Sequence, residues 1–209
     1  TIFLRSLGYL LDTLKMDRRD ANYYEAHAQS VNLRDITSNR HNAIGLRKLR
    51  DNDPKFTSMG ISVGDPGDED DFLIGREDDL GWLGYFVAKN STLQYLYIDI
   101  NDASEFLSMS DRIGVFIEGL NRNQSIQKLK INSDLGSKNF RRMGDFFWKN
   151  SNLREFSFGI IDNMGVDSAR SIAHMLRQCE RYQLRKISFE DSDASDIVLA
   201  EITKAISTH

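Results

Sequence analysis

Five hexapeptides in this chain share one template, apolar-x-x-apolar-x-apolar: FTSMGI (56–61), LQYLYI (93–98), IQKLKI (126–131), LREFSF (153–158) and LRKISF (184–189). They begin at Phe56, Leu93, Ile126, Leu153 and Leu184, so successive starts lie 37, 33, 27 and 31 residues apart. The last three residues of each alternate as a β-strand does. A period of roughly 20–50 residues marks an array of like units, each burying its apolar face only by stacking on its neighbours. Such an array offers a broad surface before it offers a catalytic pocket.

The stretches between the hexapeptides carry apolar residues three and four apart, the spacing of a helix with one buried face. Helices are predicted near 79–89 (Leu80, Leu83, Phe86, Val87), 111–122 (Ile113, Phe116, Ile117, Leu120) and 138–149 (Phe140, Met143, Phe146, Phe147). Two more are predicted near 166–179 (Ala169, Ile172, Met175, Leu176) and 195–207 (Val198, Ile202, Ala205, Ile206). Asn90, Asn123 and Asn150 each stand three positions before the next strand's first apolar residue; Cys179 breaks the pattern at the fourth junction. An asparagine there can end a helix in the left-handed conformation at low cost. Gly81 and Gly84, flanking Trp82 and Leu83, point to close helix packing or a kink.

Strand, helix and asparagine junction together resemble the leucine-rich repeat family, in its ribonuclease-inhibitor-like form, over roughly residues 40–209. The family pattern L-x-x-L-x-L-x-x-N-x-L is complete only near LQYLYIDINDA, with Asn101 at the asparagine-ladder position; Gly64, Asp134, Ile161 and Ser192 occupy it elsewhere. The resemblance implies an α/β solenoid, parallel sheet on the concave side and helices on the convex side, that binds a protein partner through its concave face. Residues 1–50 contain no hexapeptide and read as helices near 2–16 and 42–50 with an ambiguous stretch near 18–36. They are expected to form an N-terminal helical cap, with about five β/α units filling 51–209.

Strand alternation then assigns the open face. Its partner-binding candidates are Tyr95, Tyr97 and Asp99, then Lys128, Lys130 and Asn132, then Glu155, and finally Lys186 and Glu190. Tyr95, Lys128, Glu155 and Lys186 should form one cross-strand row, with Ser58, Gly60, Ser62, Ser157, Gly159 and Ser188 completing the face. The tyrosines are the expected anchors, because aromatic side chains bury much area for little entropy.

Other chemistry finds little support in the residues. The acidic loop GDPGDEDDF (64–72) supplies Asp65, Asp68, Glu69, Asp70 and Asp71, but their spacing misses the calcium-loop pattern and reads as a solvated loop. His27, His41, His174 and His209 are scattered, and no nucleophile, phosphate-loop, zinc or dinucleotide motif occurs, so no catalytic residue, metal or cofactor is expected. Residues 1–50 carry a charge of +4, residues 51–80 carry −8 and the remainder balances, giving −4 overall. That balance argues against nucleic-acid binding, and no apolar run is long enough for a membrane-spanning helix. One cysteine excludes an internal disulfide framework and leans toward a reducing, intracellular compartment.

The first reading is therefore a non-catalytic protein-binding scaffold. The second is a structural subunit docking through its C-terminal end, where the last helix and edge strand would meet further units, a second copy or another subunit. A GTPase-activating regulator of similar architecture is the third. It would need a polar residue aimed at a transferring phosphate, and none stands out.

Overall fold

The computed structural model describes residues 21–37, 39–62, 71–74, 77–100, 110–159, 164–178, 184–190 and 196–207. The chain divides into two compact units, residues 1–31 and 32–209. The first contains α1 (Ala21–His27). The His27 ring stacks on Tyr23 with centroids 4.4 Å apart, and its Nδ1 donates to the Tyr23 carbonyl at 2.7 Å.

The second unit is built on a six-stranded, wholly parallel sheet in the order β2-β1-β3-β4-β5-β6. Its strands are β1 (Ser58–Ser62), β2 (Phe72–Leu73), β3 (Tyr95–Asp99), β4 (Lys128–Ile131), β5 (Glu155–Gly159) and β6 (Lys186–Glu190). Five of them are the hexapeptides, aligned so that equivalent residues pair: Met59, Leu96, Leu129, Phe156 and Ile187 lie side by side. Parallel neighbours need crossover connections, which a helix supplies. The helices are α2 (Leu33–Ile36), α3 (Arg40–Arg50), α4 (Glu77–Lys89), α5 (Ser110–Arg122), α6 (Ser137–Arg142), α7 (Gly144–Lys149), α8 (Val166–Gln178) and α9 (Asp196–Ser207).

The core lies between the apolar strand positions and the helices. Leu93, Leu96, Ile98, Ile126, Leu129, Ile131, Leu153, Phe156 and Phe158 are buried, as are the apolar helix residues expected from spacing in α4 through α8. Ring contacts join the layers: Phe147 meets Phe156 edge-on at 4.9 Å and Phe140 meets Phe158 at 5.7 Å. Leu184, and Ile187 and Phe189 in β6, are only half-buried. Gly84 and Gly119 let α4 and α5 approach closely, since a Cβ at Gly119 would collide with the Gly84 carbonyl. This is the close packing that Gly84 suggested.

The junction asparagines act differently from expectation. Asn90, Asn123 and Asn150 are buried, and Asn52, at φ 50°, is the one described non-glycine residue in the left-handed region. Asn52 closes α3 in a Schellman arrangement, with Asp53 N–H donating to the Lys48 carbonyl and Asn52 N–H to Leu49. The other three instead spend their side chains on hydrogen bonds. Asn123 Oδ1 accepts from Ser125 N at 2.8 Å and Ile126 N at 2.9 Å, while its Nδ2 donates to Val87 O at 2.8 Å and Asn90 O at 3.0 Å. Asn90 likewise accepts from Thr92 N and Leu93 N and donates to Leu49 O; Asn150 accepts from Asn152 N and donates to Ile126 O. Each amide thus shapes its own turn and ties it to the preceding unit. No left-handed residue is needed, because Oδ1 satisfies the amides the turn leaves open.

Neighbouring units are also tied after the strands, where Ile100 N donates to the buried Ser133 Oγ at 2.5 Å. At the ladder position Asp134 merely closes a local turn, accepting from Gly136 N at 2.8 Å, and Asn101 lies outside the described residues.

The N-terminal helical cap has no support. The predicted helix near 2–16 lies outside the described residues, and α3 is a working part of the sheet's own unit. The Asn42 side chain pairs with Leu73 like a strand, donating to its carbonyl at 2.6 Å and accepting from its N–H at 2.8 Å. It covers the backbone edge that β2 would otherwise present. β2 itself falls where a long loop was expected; two residues are too short to show periodicity.

Two helices also differ. The single helix expected over 138–149 is two, α6 and α7, because the backbone turns at Met143 (φ −70°, ψ −12°). In α9, Val198, Ile202 and Ala205, expected to need an outside partner, are buried in the fold; Ile197 and Leu199 are the exposed apolar residues.

Candidate functional site

The site is the face of the sheet turned away from the core. Because strand side chains alternate, β3 and β4 read half-exposed, buried, half-exposed, buried along their length. Register fixes which residues of this face meet. Ser58, Tyr95, Lys128, Glu155 and Lys186 form one row, and Gly60, Tyr97, Lys130, Ser157 and Ser188 form the next, in which Gly60 and Ser157 are buried. Asp99 pairs with Ser62, and Gly159 with Glu190, whose side chain lies outside the described residues. The predicted surface residues are therefore brought together on one face.

Two cations lie over two rings: Lys128 Nζ is 4.8 Å from the Tyr95 ring centroid and Lys130 Nζ is 5.3 Å from that of Tyr97. Lys128 also sits 3.8 Å from Glu155 Oε2, with both side chains about two-fifths exposed. An exposed pair of this kind contributes at most about 1 kcal/mol. These groups are held near one another at little cost to separate, so a partner could engage them.

The second row is more tightly built. Tyr97 Oη donates to Asp99 Oδ2 at 2.5 Å and accepts from Asn132 Nδ2 at 2.9 Å. Burial, and then the bond to the Asp99 carboxylate, push the Tyr97 phenol well above the usual tyrosine range. Asp99 Oδ1, Asn132 Oδ1 and Ser62 Oγ are buried without a hydrogen-bond partner among the described residues. Tyr97, Asp99 and Asn132 thus form an internal network, leaving Tyr95 and the lysines as the more approachable part of the face.

Asp71, read from the sequence as part of a solvated acidic loop, lies instead against β1, its carboxylate occupying the space a side chain at Gly60 would take. The signal was present as a glycine in the middle of a strand, which often marks a close approach. Asp65, Asp68, Glu69 and Asp70 lie outside the described residues. Trp82 is buried and stacked on Phe86 at 5.7 Å, whereas Trp148 is 59% exposed. Among the described residues no group of three histidines, cysteines or carboxylates could hold a metal ion, and no described helix is long and apolar enough to cross a membrane.

No family model and no curated protein matches the chain. Solved structures do. The leiomodin-1 actin-binding site 2 is 16% identical with a TM-score of 0.53, over 79% of this chain and 90% of that one. The tropomodulin C-terminal domain from Caenorhabditis elegans is 15% identical with a TM-score of 0.52, over 79% and 91%. At these identities the likeness concerns the fold alone. It sets the chain beside tropomodulin and leiomodin domains in place of the ribonuclease-inhibitor-like solenoid that the hexapeptides suggested.

Proposed function

We propose that the chain is a non-catalytic protein-binding domain whose open sheet face receives the partner. The observation that supports this most is the in-register row Tyr95, Lys128, Glu155 and Lys186, half-solvated and weakly paired, flanked by a rigid polar network. Tyr95 is the anchor and Lys128 its charged neighbour, the pairing of aromatic area and charge that dominates binding energy at protein interfaces. Because a domain of this fold in leiomodin-1 is an actin-binding site, actin is the first partner to assay.

The test is co-sedimentation with filamentous actin and anisotropy with labelled monomeric actin, comparing the wild type with Tyr95→Ala/Lys128→Glu. Binding that the double variant weakens by more than about 2 kcal/mol, with an unchanged melting curve, supports the reading. Binding that the folded variant leaves intact removes this face from the interface. No binding of either actin form removes actin as the partner.

A further inference from the structure

A second surface on the sheet's own unit has a different chemistry. An open-sided groove of about 630 Å³ lies beside α2 and α3, with Thr37 and Ala43 on its buried floor. Its rim carries Arg34 from α2 and Arg40 and Arg47 from α3, and Ile44 stands among them, 39% exposed. Arg40, Ala43, Ile44 and Arg47 are spaced i, i+3, i+4 and i+7, so one face of α3 presents all four. The local build is firm: the Asn39 side chain caps α3 by accepting from His41 N and Asn42 N, and Thr37 Oγ1 accepts from Asn39 N and from Asn42 Nδ2. Asn42 also grips β2, so the groove rests on the edge of the sheet.

No carboxylate lines the groove, and among the described residues none of the three guanidinium groups has an ion-pair partner. In a chain of net charge −4, three unpaired arginines around one exposed isoleucine are a local reversal of sign. Arginine is the cation best suited to interfaces, because its planar fork meets carboxylates in pairs and it sheds water readily. An apolar centre with a charged rim is the layout of a protein interface, not of a small-anion site.

We propose that this groove docks an acidic segment of a protein partner, an apolar side chain seated on Ile44 and Ala43 and flanking carboxylates on Arg34, Arg40 and Arg47. The occupant follows from charge complementarity and from the single apolar contact at the centre. The groove is a surface additional to the open sheet face, and its test is independent of that reading.

The probe is a fluorescein-labelled glutamate-rich peptide with a leucine-phenylalanine pair at its centre, titrated with the full chain and read by fluorescence anisotropy. A second peptide replaces the apolar pair with two glutamates, and vesicles containing phosphatidylserine form a third arm. The expected result is binding of the first peptide that Arg40→Glu/Arg47→Glu weakens about tenfold or more, as charge reversal at an interface does. Ile44→Ser should weaken it as well, and Arg177→Glu on α8, outside the groove, should leave it unchanged. All four positions are exposed, so folding is expected to survive and is checked by thermal melting; if the reversals unfold the chain, Arg40→Gln/Arg47→Gln replaces them. Equal binding of the two peptides, binding untouched by the arginine and isoleucine changes, or capture by the vesicles alone would each overturn the proposal.

Discussion

Replacing Asn123 with alanine tests whether the buried junction asparagines hold the units together. The side chain is fully buried. Alanine would leave Ser125 N and Ile126 N without their acceptor and remove the donor to Val87 O and Asn90 O. The carbonyls lose less, because Asn90 N still donates to Val87 O and Ser125 Oγ to Asn90 O. The two orphaned amides carry most of the cost, at about 1–3 kcal/mol for each buried unsatisfied group, so the expected loss is about 2–6 kcal/mol. For a chain of this size each kcal/mol corresponds to about 2–4 °C in Tm. Urea unfolding followed by circular dichroism should therefore show a much lower midpoint at an unchanged slope. Asn152→Ala is the control: this exposed residue donates outward from the same kind of junction to Gln124 O, and its loss should cost under about 0.5 kcal/mol. If Asn123→Ala costs no more than that control, the junction hydrogen bonds do not stabilise the array and the reasoning fails.

Two glycine changes should have opposite signs in the same assay. Gly119→Ala drives a Cβ into the Gly84 backbone and should destabilise by roughly 1–3 kcal/mol or more despite the better helix propensity. Gly45→Ala meets nothing within 4 Å inside α3 and should stabilise by roughly 0.5–1 kcal/mol. In alkaline titration followed by tyrosinate absorbance, Tyr97 should ionise after the ordinary phenols, and Tyr97→Phe should remove that late step alone. The raised folded value means that its contribution to stability is fully present below the unfolded-state value of about 10 and is lost as pH rises beyond it. Thermal melts of the wild type should show that additional alkaline loss, and melts of Tyr97→Phe should not.

Local pattern determined much of this protein by itself. The period-2 alternation in LQYLYI and IQKLKI fixed which residues face the core and which the open surface, because a strand places neighbours on opposite sides. The 3.6-residue spacing located α4, α5, α8 and α9 to within a residue or two, and the shared template set the register that lines up Tyr95, Lys128, Glu155 and Lys186. Features that depend on residues distant in sequence were decided only by the tertiary structure. Asn42 meets Leu73 across 31 positions, so no local pattern announces β2 or shows α3 joined to the sheet's unit. Asn123 appeared to be a left-handed helix end until the carbonyls of Val87 and Asn90 came within reach of its amide. Val198 and Ile202 seemed to need an outside partner for the same reason: spacing shows that a face is apolar, whereas only three-dimensional packing shows what covers it.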